Sequence, residues 1–332
     1  MRRAQRLITT LSIIIAMMSL LAVVGLQAQT RGLETNDDER SSGAKKNRGP
    51  VKPITIPITI RFRGSKAMQE TQDVGNIIVR EDGDEQQILS IRRFGAGDPI
   101  AVAVLIQDDV VPSISNEIKS INNFIRRLPR GSRVMIGYIR SGSLDVRQKF
   151  TGDLDRAASA LRVPTGSATQ APYNPYVEII EGLKRFEALP KGRRALLVVS
   201  DGVDASRGLD SISVAQSIDL ERAIKQAQRL GVAIYAFYAP TVTVTARNNQ
   251  FLASNGQGSL ESLADETGGQ AFFQGTGAPV SFEPFLNDLG RSFTRQIALT
   301  YLSTHGKKGY HRIEIRSDNT DVEIDHPSGY TR

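Results

Sequence analysis

The sequence predicts an α/β fold: a doubly wound, mostly parallel sheet with a small β domain formed by the N- and C-terminal flanks. Continuous apolar runs such as IAVAVLI (100–106) and RALLVVS (194–200) are typical of parallel strands that helices cover on both faces. The segments that follow these runs place apolar residues at helical spacing, which predicts alternating strands and helices. On either side of this region, strands follow one another without helices between them.

The beginning of the chain, up to Ala28, has the three parts of a secretory signal. Arg2, Arg3 and Arg6 precede an uncharged apolar run over 7–26, and Ala28 ends the cleavage sequence LQA. About 20 apolar residues also suffice to span a bilayer, so an uncleaved membrane tether is the alternative. Under either interpretation we expect the rest of the chain to be exported, to the periplasm or the medium.

Composition excludes several classes of function. The 332 residues include no cysteine, which excludes disulfides, thiolate metal sites and a cysteine nucleophile. Without the three arginines of the signal, 39 of the 42 basic residues face 35 acidic ones, and this net charge of +4 does not indicate nucleic-acid binding. The glycines lack the spacing of a phosphate-binding loop, so no small-molecule cofactor is predicted.

Two flanks of β character enclose the central region. A flexible linker over 29–51 leads to an N-terminal β unit, 52–97, whose tetrapeptide EDGD at 81–84 is an Asp-Gly hairpin signal. The strands of 295–332 are expected to pair with this unit.

The α/β domain itself is predicted over 98–294. A polar stretch at 240–258 is interpreted as a long loop, either functional or disordered. A short, polar strand at 146–150 is expected at a sheet edge. Helices are predicted at 113–128, 154–161, 176–189, 220–230, 259–269 and 282–293, and further buried strands at 133–139 and 232–238.

Carboxylates follow two of the predicted buried strands. Asp108 and Asp109 come after the first, and Asp201 and Asp204 come after RALLVVS. Ligands of open α/β sheets bind beyond the carboxyl ends of the strands. If these strands are neighbours, charges about 4 Å apart repel by roughly 4 kcal/mol at an effective dielectric near 20. A cation, a raised pKa or a basic neighbour such as Arg207 would relieve that repulsion.

Other candidate groups are weaker. His305, His311 and His326 are the only histidines; three histidines could ligate a metal, but the sequence shows no acidic partner pattern, and we expect them on the surface. Ser200 lies outside any G-x-S-x-G turn, and the α/β region has no histidine to serve as its base. The sequence therefore predicts no catalytic residues.

Four stretches of the sequence resemble one known family. RRALLVVSDGVDASR is similar to a strand that ends in Ser-Asp-Gly and carries a metal-site aspartate, here Asp201. SLESLADETGGQAFF is similar to a late Leu-x-x-Leu-Ala-x-x-Thr-Gly-Gly helix and strand. With the element order from Pro99 to Thr294, they resemble the von Willebrand factor type A (VWFA) domain, which is Rossmann-like. IIVREDGDEQQILSIRRF and the closing YHRIEIR…SGYTR resemble the flanks of an exported bacterial branch typified by Acidobacteria.

The resemblance implies a metal-ion-dependent adhesion site, and this sequence departs from its pattern. The family's Asp-x-Ser-x-Ser motif falls on QDDVV at 107–111, and its loop threonine falls near Thr169 or Gln170. Glutamine replaces the leading aspartate and valine the second serine, so the site is degenerate and Asp201 alone is retained. For Mg²⁺ or another divalent cation, the candidate ligands are Asp109, Asp201 and Asp108.

These observations predict a binding or adhesion module of the cell envelope, and not an enzyme. It would recognise an extracytoplasmic protein partner, with no cation site or a remodelled one. One alternative is a metal-dependent hydrolase that uses the acidic crevice, which would require a positioned base for which the sequence offers no candidate. Another is a structural envelope component whose site has decayed.

Overall fold

The computed structural model describes residues 51–63, 74–95, 97–206, 208, 217–246, 250–278 and 280–332. The predicted signal, nearly all of the predicted linker and Arg207 lie outside these described residues. Asn47–Arg332 form one compact unit. Among the described helices, none combines the length and the apolar character needed to cross a bilayer.

Strands and helices are numbered here along the chain. The strands are β1 (Lys52–Phe62), β2 (Ile77–Glu81), β3 (Asp84–Arg93), β4 (Ala101–Gln107), β5 (Arg133–Arg140), β6 (Ser143–Thr151), β7 (Arg194–Ser200), β8 (Ala233–Tyr238), β9 (Gln270–Phe272), β10 (Gln296–Ser303), β11 (Tyr310–Ser317), β12 (Val322–Asp325) and β13 (Gly329–Thr331). The α-helices are α1 (Ile118–Arg126), α2 (Leu154–Ser159), α3 (Tyr176–Lys184), α4 (Ile218–Leu230), α5 (Val242–Ala246), α6 (Gln250–Asp265) and α7 (Glu283–Thr294). Short 3₁₀ segments are Pro112–Glu117, Ala168–Gln170 and Arg185–Ala188.

The central sheet has six strands in the order β6-β5-β4-β7-β8-β9. Among the described strands of this sheet every neighbouring pair is parallel except β5 and β6, and the antiparallel strand β6 lies at the edge. Chain order reverses between β4 and β7, as in the doubly wound arrangement. The predicted α/β architecture with a mostly parallel sheet is confirmed, and so is the edge position of the strand predicted at 146–150.

Helices cover both faces of this sheet because successive side chains of a strand point to opposite sides. Val102, Val104 and Ile106 of β4 pack into one apolar core with helices α1, α2 and α7. Ala103 and Leu105 pack into the other with α3, α4 and α6. Both cores exclude solvent, which explains why β4 reads as a continuous apolar run.

Helix α4 illustrates how local sequence sets the ends of an element. Ser217 is its N-cap and accepts a hydrogen bond from the Leu220 amide at 3.2 Å. Gly231 ends the helix in the left-handed region, at φ 62°, where a side chain would be strained. The strand that follows begins two residues later, so the helix returns the chain directly to the sheet.

A second sheet combines strands from both flanks in the order β12-β1-β10-β3-β2-β11-β13, with every pair antiparallel. The tail strands β10 and β11 pair with β1, β3 and β2, as the sequence predicts. Ile56, Ile58, Leu299 and Ile313 lie in its apolar core. That this sheet is a domain of its own stays a prediction, since the described residues belong to one compact unit.

Two predicted elements differ from the structure. The stretch 240–258 is not a long loop, because α5 and the first half of α6 occupy most of it. The buried residues in the first half of α6, Leu252, Ala253 and Gly256, recur at helical spacing among Asn, Gln and Ser. The apolar stripe is therefore weak, and tertiary packing decides the conformation of this segment. The helix predicted at 113–128 begins with a 3₁₀ segment and becomes α-helical at Ile118.

Candidate functional site

The two strands that carry the candidate carboxylates are neighbours. β4 and β7 pair in parallel, with Ile106 opposite Val199, so their carboxyl ends open on the same edge of the sheet. Asp109 and Asp201 therefore come close enough for the charge of Asp201 to act on Asp109. We call the group formed by Gln107, Asp108, Asp109, Ser200 and Asp201 the crevice.

Gln107 links the two strand ends inside the crevice. Its side-chain nitrogen donates to Asp109 Oδ1 at 2.9 Å. Its side-chain oxygen accepts from Ser200 Oγ at 2.5 Å and from the Asp201 amide at 3.4 Å. The neutral amide supplies one donor and one acceptor where the VWFA pattern has a charged aspartate, so both strand ends are joined by protein atoms alone.

Asp201 is held by donors on both of its oxygens. Oδ1 accepts from the Val203 amide at 3.0 Å, and Oδ2 accepts from the Thr241 hydroxyl at 2.8 Å. Burial raises the pKa of this carboxyl, and the hydrogen bonds from Val203 and Thr241 oppose that rise. Asp201 thus links the turn after β7 to Thr241, which follows β8.

Asp108 turns away from Asp201 and toward two arginines. Arg162 donates to both of its oxygens, at 2.6 and 2.8 Å, and Arg140 Nε lies 3.3 Å away. The Thr165 amide adds a further bond at 3.0 Å. Burial opposes ionisation of Asp108, yet the bonds from Arg162 and Thr165 hold its pKa below the usual range. The sequence named Arg207 as a candidate basic neighbour, and that residue lies outside the described part of the chain; the basic neighbours of Asp108 that the structure describes are Arg162 and Arg140.

Asp109 is a second carboxyl of the crevice whose ionisation is opposed by its surroundings. Burial and the negative charge of Asp201 raise the pKa of Asp109 to about 7, against the stabilising bond from Gln107. Only 1% of Asp109 is exposed to solvent. A carboxyl this enclosed meets no substrate directly, although perturbed pKa values are frequent at functional sites.

The remaining residues of the implied metal pattern lie elsewhere. Thr169 hydrogen-bonds Ser167 at 2.9 Å on the surface, while Thr241 holds Asp201 and Thr165 holds Asp108. The Gln170 side chain lies outside the described residues. Val111 offers no oxygen in its side chain. With Asp108 bound by arginine and Asp201 bound through both oxygens, these groups do not fit an octahedral Mg²⁺ site.

Asp204, the fourth carboxylate of the sequence pattern, stabilises the loop after β7. Its Oδ1 accepts from the Ser206 amide at 3.0 Å, and its Oδ2 accepts from the Ser217 hydroxyl at 2.6 Å. Ser217 is also the N-cap of α4, so Asp204 connects this loop to the start of that helix.

Gly256 packs against the crevice, and sequence reasoning did not assign it to the site. A Cβ at Gly256 would lie 2.0 Å from the Asp201 carbonyl oxygen, and one at Gly202 would lie 2.4 Å from the Gly256 oxygen. The two glycines let α6 pack directly against the Ser-Asp-Gly turn. The available signal was a glycine inside a polar stretch, which indicates close packing only once that stretch is known to be a helix.

The surface around the crevice is partly apolar. Val163, next to Arg162, is 56% exposed, and Tyr173, whose carbonyl accepts from the Ala205 amide, is 75% exposed. A cavity of about 350 Å³ lies on the same edge of the sheet, with Val111 and Pro240 in its lining. We call this combination of crevice, cavity and exposed apolar side chains the carboxyl-end face.

Two of the three histidines are not where the sequence predicts them. His311 is buried, at 4% exposure, and its Nδ1 lies 2.8 Å from Asp82 Oδ2 and 3.4 Å from Glu81 Oε1. His305 lies beside the same hairpin, with Nδ1 4.0 Å from Glu81. The expectation of surface histidines without acidic partners is wrong for this pair, because strand pairing joins positions more than 200 residues apart.

No protein-family model and no curated protein matches the chain. Among solved structures, the conserved hypothetical protein BatB from Bacteroides thetaiotaomicron is similar with 12% identity and a TM-score of 0.40, over 59% of this chain and 97% of that one. An aerotolerance-related membrane protein from Bacteroides fragilis has 10% identity and a TM-score of 0.38, over 58% and 98%. The SpRpn10 VWA domain has 14% identity and a TM-score of 0.35, over 57% and 95%.

Proposed function

We propose that this chain is an exported, VWFA-like binding module of the cell envelope that recognises an extracytoplasmic protein partner without a cation, and that it is not an enzyme. The observation that carries the proposal is the internal bonding of the crevice. Asp108, Asp109 and Asp201 each accept hydrogen bonds from protein donors. Protein donors therefore occupy these carboxyl oxygens, and a cation would have to displace them.

The family and the domain arrangement rest on the sequence motifs, together with the strand order. The central sheet has the doubly wound order with a single antiparallel edge strand, and Asp201 sits at the end of β7 as the motif requires. We place the chain in the exported bacterial branch on the similarity of its flanks, and we propose that the second sheet is a β domain of its own.

The apolar side chains of the carboxyl-end face suit a protein partner. Exposed aromatic and aliphatic groups around a desolvated polar centre are typical of contact surfaces that exclude water. Tyr173 offers a large ring on a loop that is hydrogen-bonded to the segment after Asp201. We infer that Tyr173 and Val163 contact the partner while the crevice fixes the loops that carry them.

A cross-linking experiment with envelope extract tests the binding face. The wild-type protein should cross-link a defined envelope protein, and the double variant Tyr173→Ser with Val163→Ser should lose that product. Leu89→Ser is the matched control, because Leu89 is also exposed, at 48%, but lies on β3 of the other sheet. Loss of the product in the control, or its survival in the double variant, would contradict the proposal.

Calorimetric titration with Mg²⁺, Mn²⁺ and Ca²⁺ tests the absence of a cation from the crevice. We expect none of the three ions to bind in the crevice, so the wild type and Asp201→Ala should give the same titration. Saturable binding lost in Asp201→Ala would instead support a remodelled cation site. Hydrolase turnover abolished by Asp109→Ala would overturn the proposal that the chain is not an enzyme.

Export is tested by fractionation. The proposal rests on the charged start and apolar run of the first 28 residues, and mass spectrometry of the envelope fraction should find a chain that begins at Gln29. An intact N-terminus in the membrane fraction would instead indicate the uncleaved tether.

A further inference from the structure

A group of four side chains gathers at the tip of the second sheet, away from the crevice. Glu81 ends β2, and Asp82 is the first residue of the two-residue turn to β3. His305 follows β10, and His311 lies in β11. We call these four residues the hairpin cluster.

The turn fixes Asp82 against β11. Asp82 and Gly83 have φ values of 50° and 89°, the left-handed pair that a type I′ hairpin requires. Asp82 Oδ1 accepts from the Arg312 amide at 2.8 Å, and the Asp82 amide donates to the Arg312 carbonyl at 2.9 Å. The second oxygen, Oδ2, is left facing His311.

Glu81 brings a buried charge with an incomplete set of partners. Its Oε1 accepts from the hydroxyls of Ser303 and Tyr330, at 3.0 and 2.9 Å. Its Oε2 is buried and has no hydrogen-bond partner within the described part of the chain, and the side chain is 0% exposed. A buried carboxylate oxygen without a donor is costly, so a cation is the natural complement.

Both imidazole rings turn a nitrogen toward this carboxylate. His311 Nε2 lies 2.9 Å from the Lys307 carbonyl, and its Nδ1 lies 2.8 Å from Asp82 Oδ2 and 3.4 Å from Glu81 Oε1, so both ring nitrogens face oxygens that only accept. His305 Nε2 lies 3.3 Å from Asp84 Oδ2, and its buried Nδ1 has no described partner. His305 thus has a protein oxygen on its outer nitrogen and no described partner on its inner one, which is how metal-ligating histidines are oriented. At His311 a metal ion would replace the proton that Nδ1 shares with Asp82.

We propose that the hairpin cluster binds a divalent transition metal ion, with Zn²⁺ as its representative, through Glu81, Asp82, His305 and His311. Tetrahedral zinc at bond lengths of about 2.0–2.2 Å places ligand atoms about 3.3 Å apart. Three distances in the cluster bracket this value. His311 Nδ1 lies 2.8 Å from Asp82 Oδ2 and 3.4 Å from Glu81 Oε1, and His305 Nδ1 lies 4.0 Å from Glu81 Oε1.

The ligand chemistry favours this class of metal. Two imidazoles with two carboxylates suit zinc, nickel, copper or iron, whereas magnesium and calcium prefer oxygen ligands alone. One ligand atom each from Glu81, Asp82 and His305 lies within 4.8 Å of the others. The Asp82 side chain is 36% exposed and that of His305 is 23% exposed, which gives the ion a path from solvent.

The metal would join the two flanks of the chain. Asp82 and His311 are 229 residues apart in sequence, and the ion would hold the N-terminal hairpin to the strands at the C-terminus. Because the folded state alone assembles the four ligands, binding stabilises it by mass action. We therefore infer a structural metal that stabilises the second sheet.

Titration calorimetry of the EDTA-treated protein with ZnCl₂ tests the site. We expect one Zn²⁺ per chain and a higher Tm in its presence. His305→Gln and Asp82→Asn each remove a ligand and should weaken Zn²⁺ binding by more than about 100-fold. Loss of a residue that only orients a ligand costs less, about 10- to 100-fold. Asp84→Asn, which removes such a partner, should weaken it by about 10-fold.

Two variants separate this site from others. His326→Gln is the matched control for histidine loss, because the ring accepts from the Ile315 amide and glutamine keeps an acceptor there. Asp201→Asn tests the crevice, and both variants should bind Zn²⁺ as the wild type does. No saturable Zn²⁺ binding would show that His311 merely pairs with Asp82, and wild-type affinity in His305→Gln and Asp82→Asn would also overturn the proposal.

Discussion

Gln107 accepts a hydrogen bond from the Ser200 hydroxyl at 2.5 Å, and this bond joins the ends of two neighbouring strands, β4 and β7. The side-chain nitrogen of the same amide donates to Asp109 at 2.9 Å, two residues further along the chain. A glutamine at this place thus supplies Asp109 with a neutral N–H donor inside the protein.

Gln107→Glu should destabilise the protein. The change removes the donor to Asp109 and adds a third buried negative charge beside Asp109 and Asp201. We expect the free energy of unfolding in urea at pH 7.5 to fall by about 2–4 kcal/mol. Gln87→Glu, on the exposed face of β3, should change it by less than about 0.5 kcal/mol. Equal losses of unfolding free energy in the two variants would show that the hydrogen bonds of Gln107 do not stabilise the crevice.

Asp109→Asn should remove a pH dependence of stability. The pKa of Asp109 is about 7 in the folded protein, raised by burial and by Asp201, against about 3.9 in an unfolded chain. Between these values the folded state holds a proton that the unfolded state has lost, so this contribution is complete below about pH 4 and disappears as pH rises through 7.

The difference between the two proteins isolates that effect from other titrating groups. Relative to Asp109→Asn, the wild type should lose up to about 4 kcal/mol of unfolding free energy between pH 4 and pH 7.5. Asp288→Asn, a half-exposed surface carboxylate, is the control and should follow the wild type. Parallel pH profiles for wild type and Asp109→Asn would mean that Asp109 ionises normally.

Arg162→Met should leave the buried Asp108 carboxylate without its main partner. Arg162 also lies over the Tyr138 ring, 3.9 Å from its centroid, and methionine keeps part of that apolar contact. Breaking a buried pair from one side costs about 3–5 kcal/mol, and chemical denaturation should detect it. Arg222→Met, which removes an exposed pair with Asp219, should cost no more than about 1 kcal/mol. A loss at Arg162 as small as that at Arg222 would refute the role given to the pair.

Gly256→Ala should separate α6 from the turn that carries Asp201. The new Cβ would lie 2.0 Å from the Asp201 carbonyl oxygen, which requires the backbone to move. Overpacking of this kind costs about 1–3 kcal/mol in the free energy of unfolding. Gly290→Ala in α7 meets no atom within 4 Å and should stabilise the protein by about 0.4–1 kcal/mol. A drop in Tm for both variants would show that the loss of either glycine destabilises the protein, whatever its contact with Asp201.

The sequence by itself determined the strands, most helices and the type of sheet. Those features depend on local signals: the apolar run of β4, the Asp-Gly turn at Asp82, and the serine and glycine at the ends of α4. It also placed Asp201 at the end of a buried strand, since a motif and a strand end can both be recognised within one short segment. The first half of α6 was not predicted, because its apolar stripe is weak and its conformation depends on tertiary packing.

Only the tertiary structure decided what the charged residues do. Gln107 meets Ser200 across 93 residues, Asp108 meets Arg162 across 54, and Asp82 meets His311 across 229. Such pairs depend on which strands become neighbours and on where loops return, and no local pattern encodes that choice. The same carboxylates are metal ligands or hydrogen-bond acceptors according to the partner that the fold brings within about 3 Å.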